Sequence, residues 1–238
     1  MTQPTPSPSS AEPRWRYERK FEARGVALAE IEMRLRLHPA GFRTAHPARW
    51  INNLYLDRND LRSFTTHVNG APVRDKLRIR WYGAADGAIA APVLEVKSKR
   101  GLVGAKAHHA LPAFAFGPGF DFAPLRAKAL ARIADASVAE FVALAQPALF
   151  NRYHRQYLVS ADGRFRLTID TALAFAAPPG RALGPFARFE ERDLTVLELK
   201  YAVACDGDAA RVAGRLPFRL RKYSKYVQGV ARLTGLEA

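Results

Sequence analysis

Five short segments of this chain, at 15–21, 76–82, 93–99, 164–170 and 194–201, alternate charged and large apolar residues with a period of two. Successive side chains of a strand point to opposite faces. In 76–82, Lys76, Arg78 and Arg80 therefore share one face and Leu77, Ile79 and Trp81 the other. The same partition sets Arg16, Glu18 and Lys20 against Trp15, Tyr17 and Phe21, and sets Glu95, Lys97 and Lys99 against Leu94 and Val96. Arg164, Arg166, Thr168 and Asp170 oppose Phe165, Leu167 and Ile169, while Glu198 and Lys200 oppose Leu197, Leu199 and Tyr201. One such strand reads as a sheet with one wet face. Repeated, with arginine and lysine dominating the polar side, the pattern fits a closed barrel turned inside out, its apolar residues facing outward onto helices and its charges lining a wet interior.

Further strands are expected at 50–56, 105–111 and 152–159, with Ala161-Asp162-Gly163 as a hairpin turn before 164–170. Helices are expected at 26–37, where Leu28, Ile31 and Leu35 form one stripe, and at 124–145, 206–215 and 224–234. Many strands and few helices predict an α+β fold, an antiparallel sheet or barrel with helices packed around it. Residues 1–13 are mostly Pro, Ser and Thr and read as a disordered leader, followed by one domain over 14–238.

Lysine and arginine number 37 against 22 aspartates and glutamates, a surplus of 15 that predicts a polyanionic partner. Cations gathered inside a barrel repel one another unless an anion joins them, and a linear triphosphate or polyphosphate supplies that counter-charge. Arginine grips phosphate oxygens with its planar fork and lysine adds point charges. Glu18 and Glu198 stand among these cations, either as salt-bridge partners or as ligands of a divalent ion, Mg or Mn, that bridges protein to phosphate. The histidines at 108, 109 and 154 read as packing or hydrogen-bonding residues. Nucleic acid is disfavoured, because Trp15, Tyr17, Trp81 and Tyr201 lie opposite the cations rather than among them as stacking platforms. The single cysteine, Cys205, rules out an internal disulfide and a cysteine-cluster metal site. With no apolar run of the ~18 residues a membrane span needs and no signal-peptide core, the expected location is cytoplasmic.

The ordered motifs YERKF (17–21), NLYLD (53–57), RIRWYG (78–83), EVKSKR (95–100), KAHHAL (106–111), FNRYHRQY (150–157), RFRLTIDT (164–171), VLELKY (196–201) and KYSKYVQG (222–229) resemble the polyphosphate polymerase domain of the vacuolar transporter chaperone (VTC) family, a branch of the triphosphate tunnel metalloenzymes. The resemblance implies an eight-stranded antiparallel β-barrel forming a tunnel, with a C-terminal helix at one end. It implies phosphate binding by Lys20, Arg78, Arg80, Lys97, Lys106, Arg152, Arg166, Lys222 and Lys225, with Lys200 alongside, and metal binding chiefly by Glu198. Arg78, Arg80 and Arg166 are expected around the transferred phosphoryl. The implied partners are ATP and inorganic polyphosphate or triphosphate; a triphosphatase or a non-catalytic polyphosphate-binding module would use the same residues. The related CYTH enzymes open with glutamate-x-glutamate-x-lysine, whereas Arg16 holds the first position here and leaves Glu18 a lesser metal candidate. Export of a product across a membrane would require a membrane-protein partner.

Overall fold

A computed structural model of the protein describes residues 15–181, 184 and 187–237; the leader expected over 1–13 lies outside the described residues. In chain order the elements are β1 (Arg16–Arg24), α1 (Leu28–Arg36), β2 (Arg43–Asp57), α2 (Arg62–Val68), β3 (Val73–Tyr82), β4 (Gly87–Ile89), β5 (Val93–Arg100), β6 (Val103–Ala110) and β7 (Phe114–Phe116). There follow α3 (Phe122–Leu130), α4 (Ala136–Leu144), β8 (Gln146–Val159), β9 (Phe165–Ala176), β10 (Arg188–Glu191), β11 (Leu194–Ala202), α5 (Asp206–Gly214), β12 (Arg219–Leu220) and α6 (Lys225–Thr234). Each of the eight expected strands is present. The helix expected over 124–145 is divided, because the Asp135 carboxylate accepts the N–H groups of Ser137 and Val138 and so starts a second helix.

Eight strands, in the order β9-β11-β1-β6-β5-β3-β2-β8, close back onto β9 in an antiparallel ring. The thinnest seam lies between β1 and β6, which pair only through Arg16 with Gly104 and Tyr17 with Val103. Further along the same edge of β1, β12 pairs with Phe21 and Glu22.

The apolar faces of the strands point outward, as the alternation predicts. Leu54, Leu77, Ile79, Trp81, Leu94 and Val96 pack beneath α3 and α4, against Leu125, Ala129 and Val142. On another side of the ring, Phe21, Leu167, Ile169, Leu197 and Leu199 meet Ile31 and Leu35 of α1 and Ala209 and Ala213 of α5. At ~25 cal/mol per Å² of apolar surface removed from water, these outer layers hold the ring closed around a polar interior.

A third apolar cluster fills one end of the ring. Tyr226, Val227, Val230 and Leu233 of α6 pack against Leu149, Tyr153, Leu173, Phe175 and Val196. A bulge makes this possible. On β9, Ala172 adopts a left-handed φ of 50°, and the pairing with β8 slips between Arg152 and His154. The extra residue brings Leu173 and Phe175 to the same side as Asp170, so the interior changes from charged to apolar where the helix enters. Gly229 lets α6 come close: a Cβ there would stand 2.5 Å from Leu149 Cδ2 and 2.6 Å from Phe175 Cδ1. Buried Asp57 latches the same end. Its carboxylate accepts the N–H groups of Arg58, Ser63 and Phe64 at 2.8, 3.0 and 3.1 Å and the Tyr226 hydroxyl at 2.5 Å, joining α2, α6 and the ring. Among the described residues no helix is long and apolar enough to cross a membrane.

Candidate active site in the tunnel

The ring encloses a cavity of about 560 Å³ whose wall carries fourteen lysines and arginines against three carboxylates, Glu18, Glu198 and Asp206. Strand parity delivers most of these groups: Lys20 from β1, Lys76, Arg78 and Arg80 from β3, Lys97 and Lys99 from β5, Lys106 from β6, Arg155 from β8 and Lys200 from β11. Lys222, Ser224 and Lys225 reach the cavity from the start of α6 and the segment before it.

Two buried carboxylates behind this wall orient the arginines. Glu95, only 4% exposed, accepts both Arg78 Nε, at 2.8 Å, and Arg78 Nη2 on Oε2, and pairs with Arg80 Nη1 at 3.1 Å through Oε1. Although burial works the other way, Arg78 and Arg80 hold the Glu95 carboxyl far below the usual carboxylate range. Arg80 Nε also donates to Asn53 Oδ1 at 3.0 Å, and Asn53 in turn donates to Asn151 at 2.9 Å. Asp170, fully buried, takes a two-pronged grip from Arg155 at 2.5 and 2.6 Å and pairs with Lys225 at 2.5 Å. Fork and carboxylate in this geometry fix the guanidinium planes before any ligand arrives.

The two wall carboxylates deep in the cavity are held ionised. Glu198 lies 2.7 Å from Lys200, 3.1 Å from Arg155, 3.4 Å from Lys225 and 3.7 Å from Lys20. Glu18 lies 3.1 Å from Lys20 and 3.3 Å from Lys97. Burial opposes ionisation at both, yet the surrounding cations bring both carboxyls well below the usual range.

Some lysines of the wall lack a carboxylate partner among the described residues, and others share theirs with competing cations. Lys76 donates to Ser224 Oγ at 2.7 Å and stands 5.7 Å from the Tyr226 ring centroid, with no carboxylate partner among the described residues. Burial, then Lys97 and Lys20, press its pKa well below the usual lysine value, and burial with Arg78 and Arg80 does the same to Lys106. At Lys97 the pull of Glu18 is outweighed by burial and Lys20 together, and the amine falls to about 8. His67, on the cavity wall, is pushed down to about 3 by burial and by Lys76 and Arg74, and is neutral at ordinary pH.

Of the residues expected from sequence, Lys20, Arg78, Arg80, Lys97, Lys106, Lys200, Lys222, Lys225, Glu18 and Glu198 line this one cavity. Two do not. Arg152 points out of the ring and stacks 4.1 Å above the Trp50 ring, next to His154, because Asn151, Tyr153 and Arg155 take the interior positions of β8. Arg166 shares the interior parity of Thr168 and Asp170 but lies exposed near the start of β9, opposite Lys200 and outside the lining. Arg155 and Asp170 were not among the expected ligands, nor was Lys76. The parity of 76–82 pointed to Lys76, whereas 152–159 is polar on both faces and conceals its parity.

Among the described residues no three His, Cys, Asp or Glu side chains converge into a metal cage. Glu18 and Glu198 nevertheless fit a divalent ion that arrives with phosphate. They sit on neighbouring strands in diagonal register, both ionised and both facing the cavity. Magnesium or manganese commonly binds through one or two carboxylates plus substrate phosphates.

Among solved structures, the chain is similar to a protein from Hippeastrum assigned as an adenylyl cyclase and described as having a dominant triphosphatase activity, with 16% identity, a TM-score of 0.49 and coverage of 88% of this chain and 93% of that chain. It is also similar to proteins assigned as adenylate cyclases from Vibrio parahaemolyticus (10% identity, TM-score 0.46, 87% and 94% covered) and Bacillus halodurans (11%, 0.44, 89% and 96%). No curated protein matches the chain significantly. The VTC domain family matches residues 16–234, a span that takes in the whole ring and α6. With the cation-lined tunnel its motifs imply, the chain belongs to the VTC domain family.

Proposed function

We propose that the protein is a metal-dependent polyphosphate polymerase, which moves the γ-phosphoryl of ATP onto the terminal phosphate of a growing inorganic polyphosphate chain. The observation that carries this reading is the surplus of cations along one cavity, with Lys76, Lys97 and Lys106 all depressed below ordinary lysine. A linear phosphate polymer relieves that repulsion along its whole length. Arg78, Arg80 and Arg155, held by Glu95 and Asp170, present forks to the phosphoryl oxygens, while Lys20, Lys76, Lys97, Lys106, Lys200, Lys222 and Lys225 follow the chain as point charges. Arg166, near the start of β9, meets phosphates outside this inner set.

In the transfer, the bond from the γ-phosphorus to the β,γ-bridging oxygen breaks and ADP leaves with the electron pair. An oxygen of the terminal phosphate of the chain forms the new bond. That nucleophile is already anionic, so no proton has to move, and catalysis rests on alignment and on neutralising charge on the transferred group. A divalent ion at Glu198 and Glu18, when bound, would supply further charge neutralisation on phosphate oxygens.

Hydrolysis by water at the same site calls for a proton acceptor. Glu18 and Glu198 are both tied up by cations and the low pKa of His67 makes it a weak base, so the lysines of depressed pKa, Lys76, Lys97 and Lys106, are the groups that would take that proton, and the choice of acceptor rests on the products formed. Incubation with ATP and manganese or magnesium, followed by sizing of the products, tests the reading. Long phosphate chains support it, orthophosphate or pyrophosphate alone would make the protein a triphosphatase, and binding without turnover would make it a polyphosphate-binding module.

A further inference from the structure

Beyond the charged cavity, the interior face of the ring continues to the end opposite α6 through Arg49 of β2, Tyr82 of β3, His108 of β6, Tyr157 of β8 and Arg166 of β9. Tyr82 stands two residues beyond Arg80, about 7 Å further along the strand. It is the only aromatic among the large apolar side chains left exposed in the described residues, at 45% exposure. Arg49 lies with its guanidinium 3.9 Å from the Tyr82 ring centroid and 5.1 Å from that of Tyr157, and donates from Nε to the Tyr157 hydroxyl at 3.1 Å. Arg49 has no carboxylate partner among the described residues. The rim of the charged cavity beside α6 is different in kind. There Arg74, Lys99, Arg221 and Lys222 surround exposed Leu102 and Leu220, and no exposed ring stands among them.

We infer that the Arg49–Tyr82–Tyr157 shelf holds the nucleoside of a nucleoside triphosphate whose phosphates lie in the charged cavity, and so makes the tunnel prefer ATP over inorganic triphosphate. The inference rests on the phosphate-tunnel reading above and gives the tunnel a direction: nucleoside at the shelf, phosphate chain toward the lysine-rich rim beside α6. A phosphate polymer gains from an exposed tyrosine only what the hydroxyl can donate and nothing from the ring, whereas a nucleobase is a flat π-surface that stacks on tyrosine and on an arginine plane. The offset suits the ligand, since a ribose has to bridge from the phosphates near Arg80 to a ring near Tyr82. Stacking accepts any base, so the shelf selects nucleotide over bare phosphate rather than adenine over other bases.

Calorimetric titration of the full chain with ATP and, separately, with inorganic tripolyphosphate tests this. Tyr82→Ala is expected to weaken ATP about tenfold or more, given the usual effect of losing one base–aromatic stack. It should leave tripolyphosphate affinity unchanged, and that unchanged affinity also reports a folded tunnel. Tyr82→Phe, which keeps the ring, should restore ATP binding. Equal losses for both ligands, or no loss for either, would overturn the inference while leaving the phosphate tunnel standing. If the wild-type chain bound neither ligand, the inference and the reading beneath it would both fall.

Discussion

If the tunnel takes ATP as proposed, Lys97 makes its affinity depend on pH in a calculable way. Its amine has a pKa of about 8 in the ligand-free tunnel, where Lys20 lies close by and Glu18 only partly compensates. A bound triphosphate favours the charged amine and raises that pKa, so the complex holds more protons than the free protein. Affinity is then fully developed below pH 8 and falls as pH rises through and above it. The free site is about 90% charged at pH 7 and about 10% charged at pH 9, so the loss across that interval is about tenfold from this residue alone, or ~1.4 kcal/mol. The terminal phosphate of ATP is largely ionised from pH 7 upward and adds little of its own slope. Lys76 and Lys106, also pressed well below the usual lysine value, would add proton uptake of their own. Titration calorimetry at pH 7, 8 and 9, in buffers of different ionisation enthalpy, reads both the affinity and the protons taken up. Lys97→Arg, which stays charged, should flatten the slope. Affinity that is level or rises from pH 7 to 9, with no proton uptake, would refute the assignment of an uncompensated lysine to this wall.

Other consequences concern single side chains. Glu198→Gln removes the counter-charge shared by Lys20, Lys200, Lys225 and Arg155; thermal unfolding should show a loss of about 3–5 kcal/mol. Added tripolyphosphate should recover part of that stability, while metal-dependent turnover is lost. Tyr226→Phe deletes the hydroxyl bonded to Asp57 at 2.5 Å and should cost about 1.5–3 kcal/mol in denaturant unfolding, the usual range for a hydrogen bond to a charged group. Gly229→Val forces a side chain against Leu149 and Phe175 and should destabilise by about 1–3 kcal/mol, measured by the same unfolding curve.

The inverted barrel was legible because its information is local. Alternation in 76–82, 93–99 and 194–201 assigns each side chain to a face, and the structure places Leu77, Ile79, Leu94, Val96, Leu197 and Leu199 outside and Arg78, Arg80, Lys97, Glu198 and Lys200 inside. Parity failed where both faces of a strand are polar. In β8 the interior positions belong to Asn151, Tyr153 and Arg155, so Arg152, chosen by its motif, stacks outside on Trp50. The bulge at Ala172 was equally hidden, since Leu173 reaches the interior only because one residue is inserted into the pairing. Asp170 meets Arg155 across the β8–β9 hairpin, where the pair depends on the strand register, and meets Lys225 from a segment far along the chain, so no pattern within one strand encodes the cluster. The division of the second helix turned on one capping carboxylate, Asp135, in a stretch of otherwise good helix formers.

The most direct test of the central claim follows the label from γ-labelled ATP, incubated with the protein and manganese, into products separated by size. The account predicts that label accumulates in a ladder of lengthening phosphate chains with one ADP released per phosphate added, and that Arg78→Ala abolishes the ladder. Label appearing only as orthophosphate or pyrophosphate, at any protein or ATP concentration, would contradict it.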